Sequence, residues 1–148
     1  MIVDTPEAVH QRPTISLTAA QTLIRLAFEA ADQNSATSAA IACAVVGSSG
    51  ELIAFAAHDD CGPLPRSLAI RKAYTAVILK RTTTAVKAAV VAGQIDLTRL
   101  GDSDLVPMPG GAPLVLDGTV VGAVGVSGLP PEDDALVADE ALRHFART

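Results

Sequence analysis

From Pro109 to Gly128 the chain alternates apolar strand formers with glycines, and this run constrains the fold more than any other. Asp117-Gly118 is a two-residue turn signal, so Ala112 to Leu116 and Thr119 to Ser127 are expected to pair as an antiparallel hairpin. Glycine inside a strand forfeits packing and costs backbone entropy, so Gly122 and Gly125 need a reason. That reason is close approach to the backbone, either by a ligand or neighbouring subunit, or by a helix crossing the sheet tightly. For the second case the helix expected at residues 18–32 is the candidate.

The rest of the chain supplies what that hairpin packs on. Met1 to Ser16, with Pro6 and Pro13, reads as an extended arm. Thr18 is expected to cap a helix, with Gln21 at the return position of a capping box and Ala20, Leu23, Ala27 and Ala31 on its buried face. The stretch Asn34 to Ser38 ends it. Ala39 to Gly47 and Glu51 to Ala57 are nearly continuous apolar runs around Ser48-Ser49-Gly50, a second hairpin. Asp59 to Pro65 reads as a loop. Helical spacing returns at Arg66 to Lys80 and at Thr83 to Ala92, the latter closed by Gly93. After Pro130-Pro131, the acids Glu132, Asp133 and Asp134 suit the start of a last helix, and Arg143, His144 and Arg147 suit its end. Two adjacent-strand hairpins with interspersed helices give an α+β domain with a mostly antiparallel sheet. The expected division is an arm at residues 1–16 and a single domain at 17–148.

Composition excludes several function classes. The formal net charge of −5 and the 3% aromatic content provide neither a basic surface nor stacking platforms, so nucleic acid is not an expected partner. No apolar run approaches the roughly 18 residues that cross a bilayer, so no membrane partner is expected. Met1 to Pro13 carries Asp4, Glu7 and His10 rather than a basic stretch followed by an apolar one, which is not a secretory pattern. Cys43 and Cys61 do not make a disulfide framework. A cytoplasmic location is the expectation. No zinc spacing such as CxxC or HxxxH is present, so no metal site is expected.

Several motifs together resemble one family. Gly110-Gly111-Ala112-Pro113, Asp117-Gly118, and Gly122 to Gly128 ahead of an acid-rich helix are similar to the C-terminal half of GlcG/HbpS proteins, which include PduO C-terminal domains. Asp59-Asp60-Cys61-Gly62-Pro63, the Lys72-Ala73 and Thr75-Ala76 pairs, and Thr83 resemble further parts of the pattern. The resemblance implies a profilin-like α+β fold with a mostly antiparallel five-stranded sheet. It also implies a homo-oligomer and a small-ligand site lined by the Asp59–Pro63 loop, the Lys72 helix and the glycine-rich hairpin. Relatives that bind haem make haem a candidate cofactor. The chain departs from the pattern where Gly47 replaces the usual aspartate and Ala57, followed by His58, replaces the usual arginine. Loss of that charged pair implies a changed pocket.

Individual side chains admit competing readings. His58, beside Asp59 and Asp60, suits a general acid or base, an axial haem ligand, or an ordinary strand-end histidine. His10 in the arm either folds over a pocket or is solvated. Lys72 stands partly on the apolar side of its helix, where it would hold an anionic ligand, act as a base, or snorkel to solvent. Cys61 lies beside two carboxylates that oppose its ionisation. Ser127 lacks a nucleophile-elbow context and suits hydrogen bonding, and Gly110-Gly111 would present backbone N–H groups to an anion.

Two functions are therefore expected to compete. The first is a homo-oligomeric binding protein for haem or another small carboxylate-bearing ligand, using Asp59, Cys61, Thr83, Gly110, Gly111 and Ser127. The second is a cofactor-free acid–base enzyme (an isomerase, cyclase or lyase) acting on a small organic metabolite through His58, Asp59, Asp60 and Lys72, with His58, Asp60 and Lys72 as its catalytic groups.

Overall fold

A computed structural model describes residues 1–34 and 40–148. The expected helix end and strand start that fall on residues 35–39 lie outside the described residues. Four helices, α1 (Leu17–Asn34), α2 (Pro63–Leu79), α3 (Thr83–Val91) and α4 (Pro131–Phe145), accompany strands β1 (Ala42–Gly47), β2 (Leu52–Ala57), β3 (Gly111–Leu116) and β4 (Thr119–Ser127). The arm contains a short 3-10 turn at Pro6–Ala8 and a second such turn covers Leu97–Leu100.

Both expected hairpins form, and they join through β1 and β4 into an antiparallel sheet of order β2-β1-β4-β3. The described residues form four strands, not the five that the family resemblance implied. The sheet is covered on both faces. Cys43, Val45, Val124 and Val126 face α1 and α4, while Ala42, Ala44, Val46 and Ala123 face α2. Alternation of sides along each strand follows from the pleat, and small residues on the α2 face allow that helix close.

The helix that crosses the glycines is α2, not the helix at residues 18–32. A Cβ added at Gly125 would run into the Ala69 carbonyl oxygen and lie 2.6 Å from the Ala73 nitrogen. At Gly111, which pairs with Gly125, it would strike the Lys72 carbonyl. The backbone of α2 thus lies directly on the hairpin, and glycine density records helix seating. Gly122 has another neighbour: its added Cβ would come 2.9 Å from Ile15 Cγ2, so the end of the arm packs there.

Local capping refines several boundaries. Ser16, rather than Thr18, begins α1, its Oγ accepting the Ala19 N–H at 3.1 Å. Pro63 stands in the first turn of α2, where a missing N–H costs nothing, so the expected proline loop is partly helix. Gly93 follows the Ala92 C-cap of α3 at φ 73°, and Lys80 ends α2 in the left-handed region at φ 54°.

Candidate functional site

Lys72 lies in the seam between α2, the hairpin and α4. Its Nζ donates to Asp134 Oδ2 at 2.8 Å and to the Val126 carbonyl at 3.0 Å, with side-chain exposures of 1% and 2% for the ion pair. Asp134 Oδ1 accepts the Leu129 N–H at 3.0 Å. Burial lowers the Lys72 pKa against the opposing pull of Asp134, and burial raises the Asp134 carboxyl against that of Lys72. The ammonium is thus already matched by an internal carboxylate. Asp134 was legible in the sequence only as a helix-start acid; its position one turn into α4, after two prolines, is what turns it inward.

Thr83, Gly110 and Gly111 surround the same seam. Gly111 N–H donates to Thr83 Oγ1 at 2.8 Å, which occupies one of the donors expected to face an anion. Gly110, at φ 125°, leaves no room for a side chain against Asp134 and Lys72, whose nearest carbons would lie 3.0 Å from an added Cβ. Ser127 is buried at the end of β4, paired with Ala42.

The Asp59–Pro63 loop is organised from a residue that sequence reasoning passed over. Arg66 Nε donates to the Cys61 carbonyl at 2.8 Å and Nη2 to the His58 carbonyl at 3.0 Å, so one guanidinium holds both ends of the turn. Asp59 and Asp60 are exposed and Cys61 is buried. Burial pushes the Cys61 thiol up, opposed by Arg66 and reinforced by Asp134. Cys43 in β1 is pushed up to about 12 by burial alone.

His58 turns away from this group. Its Nδ1 accepts the Ile41 N–H at 3.0 Å, and its ring packs 4.6 Å from Phe28 of α1. An imidazole that accepts through Nδ1 carries its proton on Nε2, so it presents a donor and not a lone pair. Helix α1 lies across the sheet from α2. The structure therefore brings Lys72, Thr83, Gly110 and Gly111 together, and leaves His58 on the other face with Asp60 exposed at the turn between. Gly47 and Ala57, the two departures read as one lost charged pair, lie at opposite ends of the first hairpin. Ala42 pairs with Ala57 and Gly47 with Gly122, a separation of about five residue steps, or ~17 Å.

A different constellation forms at the Gly47 end. His10, Arg12 and Pro13 of the arm, Ser48 of the first turn, Lys80 at the end of α2, and Gly118 to Val120 of the second hairpin line a cleft of about 590 Å³. Among the described residues an imidazole and two cations border it and no carboxylate does, in a chain of net charge −5. That volume falls within the ordinary range of ligand pockets, about 300–1,000 Å³. The left-handed cap at Lys80 turns the chain here and leaves the side chain exposed. Sequence spacing gave no route to this grouping, because its members come from four separate segments.

Among the described residues no cluster of three or more His, Cys, Asp or Glu is arranged to hold a metal ion, and no helix is long and apolar enough to cross a membrane.

Comparison with known proteins agrees with the architecture. The family described as haem-degrading protein HbpS-like matches residues 15–143. An uncharacterised 15.0 kDa protein from the dhaT-dhaS intergenic region of Citrobacter freundii is 36% identical over 104 residues, 69% of this chain and 73% of that protein. The crystal structure of a double mutant of Streptomyces reticuli HbpS is similar at a TM-score of 0.85 and 26% identity, covering 97% of this chain and 95% of that one. The structure of a PduOC:haem complex is similar at a TM-score of 0.79 and 27% identity, over 88% and 94%. The sheet order, the seating of α2 on the glycine-rich hairpin and these matches give one conclusion: the chain belongs to the HbpS-like family.

Proposed function

We propose that this protein is a self-associating binding protein for haem or another small carboxylate-bearing ligand, and that the ligand enters the arm cleft. The observation that carries the reading is the convergence of His10, Arg12 and Lys80 on one cleft, with no acidic lining residue among the described residues. Guanidinium and ammonium groups are the natural partners of carboxylates, and Arg12 offers the two-pronged geometry.

Haem is tested against the donors that are present. His58 does not fit as an iron ligand, since its Nδ1 is engaged by Ile41 and its proton sits on Nε2. Cys61 does not fit either, because a buried thiol with a raised pKa withholds the thiolate. His10 fits: it is exposed in the arm and borders the cleft beside the two cations. His10 would hold the iron, Arg12 and Lys80 would hold the propionates, and bound haem would supply iron redox chemistry. A PduOC:haem complex among the similar structures supports the same ligand class.

Self-association is supported by apolar side chains that remain exposed, among them Leu64, Val91, Leu100, Val115 and Leu116. Light scattering on the purified protein tests it, with a mass that is a multiple of 15.1 kDa expected and a monomer at micromolar concentration counting against it. The ligand reading is tested by titrating haemin and, separately, small dicarboxylates. A saturable Soret shift or a saturable dicarboxylate isotherm is expected, and neither appearing would end it.

A further inference from the structure

The cleft just described works only if the arm is held in place, and the arm is tied down at Thr14 and Ile15, beside a turn that Glu51 braces. Thr14 Oγ1 accepts the Ser48 N–H at 3.0 Å, and Glu51 Oε2 accepts the Ser49 N–H at 3.0 Å. Thr14 Oγ1 also lies 3.5 Å from both Glu51 Oε1 and the Val121 carbonyl. Next to it, the Ile15 N–H donates to the same Val121 carbonyl at 2.8 Å, and the Ile15 side chain is buried beside Gly122.

All of this converges over Gly47. A Cβ there would overlap Glu51 Oε1 and stand 2.7 Å from Thr14 Oγ1. The backbone around it is a closed turn, with Gly50 N–H donating to the Gly47 carbonyl and Gly47 N–H to the Glu51 carbonyl, at 3.0 and 2.8 Å. The space left by the missing side chain is therefore a socket filled by one oxygen from the arm and one from the turn. Neither residue lines the cleft, yet His10 and Arg12 precede Thr14 by only a few residues.

We propose that Thr14 and Glu51, seated over Gly47, are positioning residues that clip the arm to the first hairpin and so align His10 and Arg12 opposite Lys80. The consequence for binding rests on the ligand reading above; the clip itself does not. Losing the clip removes a net hydrogen bond or two from the ordered arm, which corresponds to a weakening of ligand binding by about tenfold.

The test compares Thr14→Val, Thr14→Ser, Glu51→Gln and Gly47→Ala in the full chain, each checked for native circular dichroism and melting. Backbone hydrogen exchange at Ile15 reads the clip, and haemin titration reads its consequence. Thr14→Val and Gly47→Ala are expected to speed Ile15 exchange and weaken haemin binding about tenfold, Glu51→Gln to do so less, and Thr14→Ser to restore wild-type behaviour. Unchanged Ile15 exchange in Thr14→Val would overturn the clip, whatever the ligand result. Faster exchange with unchanged haemin affinity would overturn the positioning role. If the wild-type protein showed no haemin shift, haem would fall as the ligand while Ile15 exchange still decided the clip.

Discussion

Lys72 Nζ stands 2.8 Å from Asp134 Oδ2 with both side chains almost fully excluded from solvent, tying the helix on one face of the sheet to the start of the last helix. Breaking such a pair from one side leaves a bare buried charge, whereas removing both charges leaves an apolar seam. Lys72→Met or Asp134→Leu alone is expected to lose about 3–5 kcal/mol of stability. The double variant is expected to lie near wild type or up to ~4 kcal/mol above it. Urea denaturation of the three variants measures this. Additive losses in the double variant would mean that the two charges do not compensate each other.

Gly125 of the second hairpin and Gly62 of the loop before α2 are expected to divide by what they touch. Gly125→Ala pushes a methyl group into the Ala69 carbonyl and the Ala73 nitrogen, and an overpacked contact of that kind costs about 1–3 kcal/mol or more. Gly62→Ala, where the nearest atom would be Pro65 Cδ at 3.9 Å, meets no overpacking and is expected to cost no more than about 1 kcal/mol, the ordinary loss for alanine at a helix N-cap. Thermal denaturation of both separates the two cases. A harmless Gly125→Ala would show that α2 does not need its present closeness.

Tyr74 and Asp102 give a pH-dependent contact. Tyr74 Oη donates to Asp102 Oδ2 at 2.7 Å, and this bond, with the Asp104 N–H, holds the Asp102 carboxyl below its ordinary 3.8. The same bond holds the Tyr74 phenol above its ordinary 10.0. A depressed acid stabilises the fold above its ordinary value and loses that contribution as pH falls through the folded value. A raised phenol contributes below 10.0 and loses it as pH rises through its folded value. Tyr74→Phe is expected to move the Asp102 titration upward, as followed by carboxyl NMR. An unmoved midpoint would remove Tyr74 as the cause.

Elements were legible from local pattern, and their partners were not. Asp117-Gly118 and Ser48-Ser49-Gly50 fixed both hairpins, because turn chemistry acts over adjacent residues. Which helix crosses Gly125 depends on tertiary packing, and an Ala-rich α2 competes with α1 for that role on equal terms in sequence. The strand number taken from family likeness exceeded the four found among the described residues. Lys72 was singled out for its place on an apolar face, but its partner lies 62 residues away on another helix, beyond any spacing rule. The arm cleft draws on residues between His10 and Val120, so periodicity could not assemble it.

The most direct measurement is a haemin titration of wild type, His10→Ala and His58→Ala, followed at the Soret band. The arm-cleft account predicts a saturable shift in wild type, the same shift in His58→Ala, and its loss in His10→Ala with the fold intact. A shift that survives His10→Ala and disappears in His58→Ala would contradict it.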